Sequence, residues 1–233
     1  MNREPRNPTL PSGAAQLARC TKDWVIASDP DPTETVRVGY NDVSFQYRGD
    51  DDTPAAYVSW IAELVARVPA PAAVLDLGCD CGVPLARDLS SAGYDVTGVD
   101  ISEVQIERAR RLVPNGQFLR QDFTRVHFPA SSFDAIVCLY AIIHVPQDLQ
   151  SELIKKVATW LRPGGWLLLT AGVEAWTGSQ ERWSGGTTTM WWSQLDSGSY
   201  RQLMTTEGLE VMEERFVPEG SSGHALFWTR RPV

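Results

Sequence analysis

With 233 residues, 43% hydrophobic and 21% charged, the chain has the composition of one soluble globular domain rather than a disordered or fibrous protein. Lys and Arg number 21 against 29 Asp and Glu, and the net charge of -8 argues against a phosphate backbone or an anionic membrane as partner. Cys20, Cys79, Cys81 and Cys138 are too few and scattered for a disulfide framework, and Cys79 with Cys81 lack two further ligands at a recognised spacing, so no metal centre is expected.

No apolar run is long enough to span a bilayer and no apolar h-region follows the N-terminus, which predicts a cytoplasmic protein. Residues 1–34, rich in proline, read as a loosely structured arm with a short helix around Ala15 to Trp24, and the domain itself begins at residue 35. Val36, Tyr40, Val43 and Tyr47 recur at helical spacing and predict an amphipathic helix over the domain or a cleft. A second helix should start at Asp52-Thr53-Pro54, with a capping side chain before proline, and stop at Pro69.

From Ala72 short apolar runs alternate with helical segments. Ala73 to Leu77, Tyr94 to Val99, Gln117 to Arg120, Phe133 to Leu139 and Trp166 to Ala171 read as strands buried on both faces of a parallel sheet. Between them fall helices Val83 to Ala92, Glu103 to Val113 with a capping box from Ser102 to Gln105, and Leu149 to Leu161. After a helix Tyr200 to Glu207, the runs Leu209 to Val217 and Ala225 to Thr229 form an antiparallel hairpin, so the fold class is a doubly wound α/β sheet.

The first strand runs into Gly78-Cys79-Asp80-Cys81-Gly82 and a helix, the place where an open α/β sheet binds ligands. The second strand ends in Asp100, suited to accept hydrogen bonds from ribose hydroxyls, and the third in Gln121-Asp122-Phe123, an acid for an exocyclic amine and a ring for a base. Three successive strand ends thus carry groups fit for an adenosine; the plainer alternative is that both acids only cap helices.

These motifs, with Gly98-Val99-Asp100-Ile101-Ser102, Phe133-Asp134-Ala135-Ile136-Val137-Cys138 and Leu161-Arg162-Pro163-Gly164-Gly165, resemble those of the class I S-adenosylmethionine-dependent methyltransferases. The resemblance implies a Rossmann-like, seven-stranded sheet, mostly parallel, with an antiparallel C-terminal strand. It also implies S-adenosylmethionine as cofactor. By the same resemblance Gly78, Cys79 and Gly82 face its methionyl part, Asp100 with Ile101 its ribose, Asp122 and Phe123 its adenine, and Leu139 its sulfonium. Tyr40 and Tyr47 are similar to tyrosines of the family's N-terminal helix that folds over the cofactor. Asp80 departs from the glycine usual in the first motif; Asp tolerates a left-handed turn, and its carboxylate would meet either the carboxylate or the amino group of the cofactor.

On the acceptor side, His144 after the fourth strand is a candidate general base, or else a residue that orients the loop or the acceptor, and Tyr140 is a second catalytic-site candidate, for touching the substrate. The insert Gly172 to Leu195 holds Trp176, Trp183, Met190, Trp191 and Trp192 and predicts an apolar wall of an acceptor pocket, with His224 entering from the terminal hairpin. Met190 to Ser193 and Phe216 to Trp228 resemble a bacterial small-molecule branch frequent in specialised metabolism. The expected activity is methyl transfer to an oxygen or carbon of a small, largely apolar or aromatic metabolite. Rival expectations are an enzyme of this fold that keeps the cofactor but catalyses cyclisation or isomerisation, and a non-catalytic partner protein whose donor binding is impaired by Asp80.

Overall fold

In a computed structural model, which describes residues 31–220 and 222–233, the apolar runs become a seven-stranded sheet with helices on both faces. Its strands are β1 (Ala73–Leu77), β2 (Asp95–Asp100), β3 (Gln117–Arg120), β4 (Phe133–Cys138), β5 (Leu161–Gly172), β8 (Glu210–Glu219) and β9 (Ser222–Arg230), ordered β3-β2-β1-β4-β5-β9-β8. The first five pair in parallel, while β9 lies antiparallel between β5 and β8, giving the reversed strand that the terminal hairpin foretold.

The pleat sorts side chains by parity into two cores. Leu75, Leu77, Ile136, Cys138, Leu167, Leu169, Ala225 and Phe227 face α5 (Gln147–Trp160) and α6 (Ser197–Thr206). Val74, Ala135, Val137, Leu168, Leu226 and Trp228 face α2 (Ala55–Arg67), α3 (Leu85–Ser91) and α4 (Glu103–Leu112). Each wholly buried side chain of this size contributes about 1.5–3 kcal/mol, so the sheet is fixed independently of the loops at its ends.

Several expected boundaries move. Helix α1 (Pro32–Tyr47) begins inside the expected arm, because Asp31 accepts a hydrogen bond from Thr33 N at 3.0 Å and Pro32 occupies the first turn. The expected helix at Ala15 to Trp24 lies outside the described residues. Asp52 does not cap α2: its carboxylate accepts from Gly49 N at 2.7 Å, and Pro54 precedes the helix without a side-chain cap. Ser102 does cap α4, accepting from Gln105 N at 3.1 Å. The tryptophan-rich insert forms an antiparallel hairpin of its own, β6 (Trp176–Glu181) and β7 (Thr189–Gln194), standing beside the main sheet. Among the described residues no helix is long and apolar enough to cross a membrane.

Candidate active site

The carboxyl ends of β1, β2, β3 and β4 open onto a cleft of about 770 Å³. After β1 the chain must turn sharply under the loop that follows β4, and Gly78 does so at φ 76°, where an added Cβ would collide with Ala141. Gly78 N and Cys79 N donate to Val99 O at 2.8 and 3.1 Å, tying the turn to β2. Asp80 stands in the left-handed region at φ 51°, accepts from Cys81 N at 2.6 Å, and donates its own N–H to Asp100 at 3.0 Å. The turn therefore tolerates aspartate in place of glycine by capping itself.

Helix α1 closes over this edge and is clamped from two sides. On α4, Arg37 donates to Glu103 at 2.5 and 2.7 Å, Ser44 to Gln105 at 2.7 Å, and Arg108 to the Ser44 and Arg48 carbonyls at 2.7 and 2.6 Å. On the insert, Asp42 accepts from Thr187 N and Thr188 N at 2.5 and 3.0 Å, and Gly39 leaves room for Met190. The cleft beneath is lined by Tyr40, Tyr47, Asp80, Asp100, Asp122 and Phe123, among others, with Gly78, Ile101, Leu139, Tyr140 and His144 also on its wall. A smaller adjoining pocket holds Gly78, Cys79, Asp80 and Gly82 together with Asp76 and Arg48.

The electrostatics of this corner are unbalanced. Burial pushes Asp100 up to about 7, with the Ser102 N–H opposing and Asp80 adding to it, and burial pushes Asp76 up to about 8, with Asp100 and Asp80 adding. Burial also raises Asp80, which Arg48 opposes. Arg48 is the one cation lining the described cleft and pocket, 7% exposed, its Nε 3.5 Å from Asp80 Oδ2 and its guanidinium 4.7 Å from the Tyr57 ring centre. Two buried acids and the half-buried Asp80, crowded around a single partly engaged arginine, form a site suited to a ligand that carries cations and hydroxyls.

Behind the cleft lies a second cavity of about 950 Å³, and the two share Tyr40, Tyr47, Tyr57, Tyr140 and His144. His144 is buried: its Nδ1 is 2.7 Å from Trp191 O and its Nε2 3.0 Å from Tyr40 Oη. A carbonyl only accepts, so Nδ1 carries the proton and Nε2 receives the Tyr40 O–H. Burial holds the imidazole down, to about 4, against that carbonyl. Tyr140, at φ 56° with its N–H on Thr170 Oγ1 at 2.5 Å, meets His224 edge to face, ring centres 5.0 Å apart.

Of the aromatic insert, Trp183 and Trp192 line this cavity, and His224 lines it from β9. The structure does not bring Trp176, Met190 or Trp191 to it: Trp176 is 49% exposed and packs on Trp192, Met190 is buried under α1, and Trp191 contributes its carbonyl. Adjacent residues of a strand point to opposite faces, so only one of Trp191 and Trp192 can face the cavity. Arg48, Tyr57, Asp76 and Glu219 are site residues that local pattern did not single out. Tyr57 reads in the sequence only as one apolar position of α2, and Glu219 only as part of the turn Pro218 to His224.

A sheet ordered β3-β2-β1-β4-β5-β9-β8 with its ligand-binding edge under an N-terminal helix defines the class: a Rossmann-like methyltransferase fold. Residues 74–165 match the family model described as a methyltransferase domain. The chain is similar to sterol 24-C-methyltransferase of Aspergillus fumigatus, 34% identical over 110 residues, 42% of this chain and 29% of that one. It covers less than a third of the length of the sterol methyltransferases it matches in this way. Among solved structures, the magnesium protoporphyrin IX methyltransferase of Synechocystis with bound S-adenosylmethionine superposes with a TM-score of 0.68 at 21% identity, covering 88% of this chain and 99% of that one. The [4+2]-cyclase SpnF superposes with a TM-score of 0.66 at 17% identity, covering 86% and 97%.

Proposed function

We propose that the protein transfers a methyl group from S-adenosylmethionine to an oxygen or carbon of a small, largely apolar or aromatic acceptor. The observation that carries this reading is the shared wall: a cleft of strand ends carrying Asp100 and Asp122 and a mostly aromatic cavity meet at Tyr40, Tyr140 and His144. A methyl group passing between two ligands needs such a junction, closed to water. In this reading Asp100 accepts the ribose hydroxyls, Asp122 and Phe123 hold the adenine, and Asp76, Asp80 and Arg48 face the amino and carboxylate groups. Buried acids whose ionised form is disfavoured by burial and by one another fit a donor whose sulfonium and ammonium would favour that form.

The donor supplies an electrophilic methyl on sulfur. The chain holds the acceptor in line and gives its proton a way out as the new bond forms. Tyr40 can accept that proton while passing its own to His144 Nε2, which the Trp191 carbonyl keeps aimed. An imidazole pushed down to about 4 is a weak base, so rate comes mainly from positioning, and acceptors that ionise readily, such as phenols and enols, suit it. We place the activity in cytoplasmic specialised metabolism on the resemblance of Met190 to Ser193 and Phe216 to Trp228 to that branch. Likeness of fold to a [4+2]-cyclase favours one second reading, cyclisation with the cofactor retained. Calorimetry with S-adenosylhomocysteine followed by a product screen tests both: binding with a product heavier by one methylene supports transfer, binding with an isomeric product supports cyclisation, and no binding contradicts both.

A further inference from the structure

The charges around the two cavities differ in number and in engagement. Asp80, Asp100, Asp122 and Glu219 line them and Asp76 the smaller adjoining pocket, against Arg48 as the single described arginine or lysine, and Arg48 is already turned toward Asp80. On the acceptor side the carboxylate is Glu219, at the end of β8. His224 Nδ1 lies 3.3 Å from its Oε2, and His224 holds the carboxyl below the ordinary value, with partial burial opposing and Tyr140 adding to the effect. Two neighbours leave an ionised carboxylate with unused acceptor positions, and Glu219 borders the cavity. That wall also carries Arg48, turned toward Asp80, and the rings of Tyr40, Tyr47, Tyr57, Tyr140, Trp183 and Trp192, whose faces attract cations as well as apolar groups.

We propose that the acceptor cavity takes an aromatic molecule bearing a protonated amine, with Glu219 as the group that binds the ammonium and the aromatic walls as its surroundings. This rests on the methyltransferase reading and narrows it to a substrate class: the phenol or enol is methylated and the amine fixes orientation. An anionic tail would face Glu219 while Arg48, the cation on that wall, is already engaged by Asp80.

The test compares tyramine with 4-hydroxyphenylacetate, which share a phenol and differ in the sign of the tail. Calorimetric titration is run on the full chain saturated with S-adenosylhomocysteine; if that ligand fails to bind, the methyltransferase reading falls, and the titration is run on the free chain to judge the cavity alone. Tyramine should bind roughly tenfold tighter, as expected for a part-exposed ion pair strengthened by aromatic faces. The preference should shrink to about threefold or less in Glu219→Gln and persist in Glu219→Asp, a pattern that a merely folding-related effect would not give. Equal affinities, a preference for the carboxylate, no binding of tyramine, or a preference untouched by Glu219→Gln would each overturn the proposal.

Discussion

Replacing Asp80 with glycine restores the residue usual in this turn, yet the structure predicts a cost. Two local effects nearly cancel: glycine relieves a left-handed residue at φ 51°, worth about 1 kcal/mol, and removes the bond from Cys81 N at 2.6 Å, also worth about 1 kcal/mol. What remains is Arg48, 7% exposed, left without its carboxylate. Breaking a well-formed buried pair costs about 3–5 kcal/mol. The long 3.5 Å contact and the stacking of Arg48 on Tyr57 reduce this to about 2–3 kcal/mol. Urea unfolding should therefore place free Asp80→Gly about 2–3 kcal/mol below the parent protein, and Asp80→Gly with Arg48→Met within about 1 kcal/mol of it. S-adenosylhomocysteine, whose carboxylate can take over the freed guanidinium, should stabilise Asp80→Gly more than the parent. A free Asp80→Gly protein as stable as the parent, or a double variant no better than the single one, would refute the reasoning.

Asp100 and Asp76, pushed up to about 7 and about 8 chiefly by burial, hold protons that the unfolded chain releases above about pH 4. Their contribution to stability is thus present at low pH and lost as pH rises toward 8, while S-adenosylhomocysteine affinity should rise from pH 6 to 8 by at most about tenfold per unit for each proton released; a flat affinity profile speaks against Asp100 in the site. Tyr40→Phe and His144→Gln should each lower turnover by roughly 10²-fold with donor affinity intact, and the double variant should be no worse than either, because the two act as one hydrogen-bonded unit; multiplicative losses would separate them. Gly78→Ala and Gly93→Ala both force a left-handed alanine costing about 1–2 kcal/mol, but only Gly78 would meet Ala141, since nothing lies near Gly93. Gly78→Ala should be the more destabilised in urea, and equal midpoints would mean that the Gly78 turn can shift.

What sequence could foretell was set by how local its cause is. The strands were legible because each is a short apolar run buried on both faces, and Asp100 was legible because it ends one of them. Ser102 and Gln105 close their capping contact within one turn. The hairpin β6–β7 was not legible: β6 is exposed nearly throughout, so no alternation marks it, and the choice of Trp192 over Trp191 for the cavity depends on its register. The pairing of Arg48 with Asp80 joins residues on different elements, and nothing in either neighbourhood announces the other. Asp52 looked like a helix cap by position, but Gly49 N–H competes for the same carboxylate and wins.

The most direct test of the account is a crystal structure of the full chain grown with S-adenosylhomocysteine. The account predicts the ribose hydroxyls on the Asp100 carboxylate, the adenine against Phe123 within reach of Asp122, and the sulfur facing the cavity bounded by Tyr40, Tyr140 and His144. A ligand bound elsewhere, or one whose sulfur is walled off from that cavity, would contradict it.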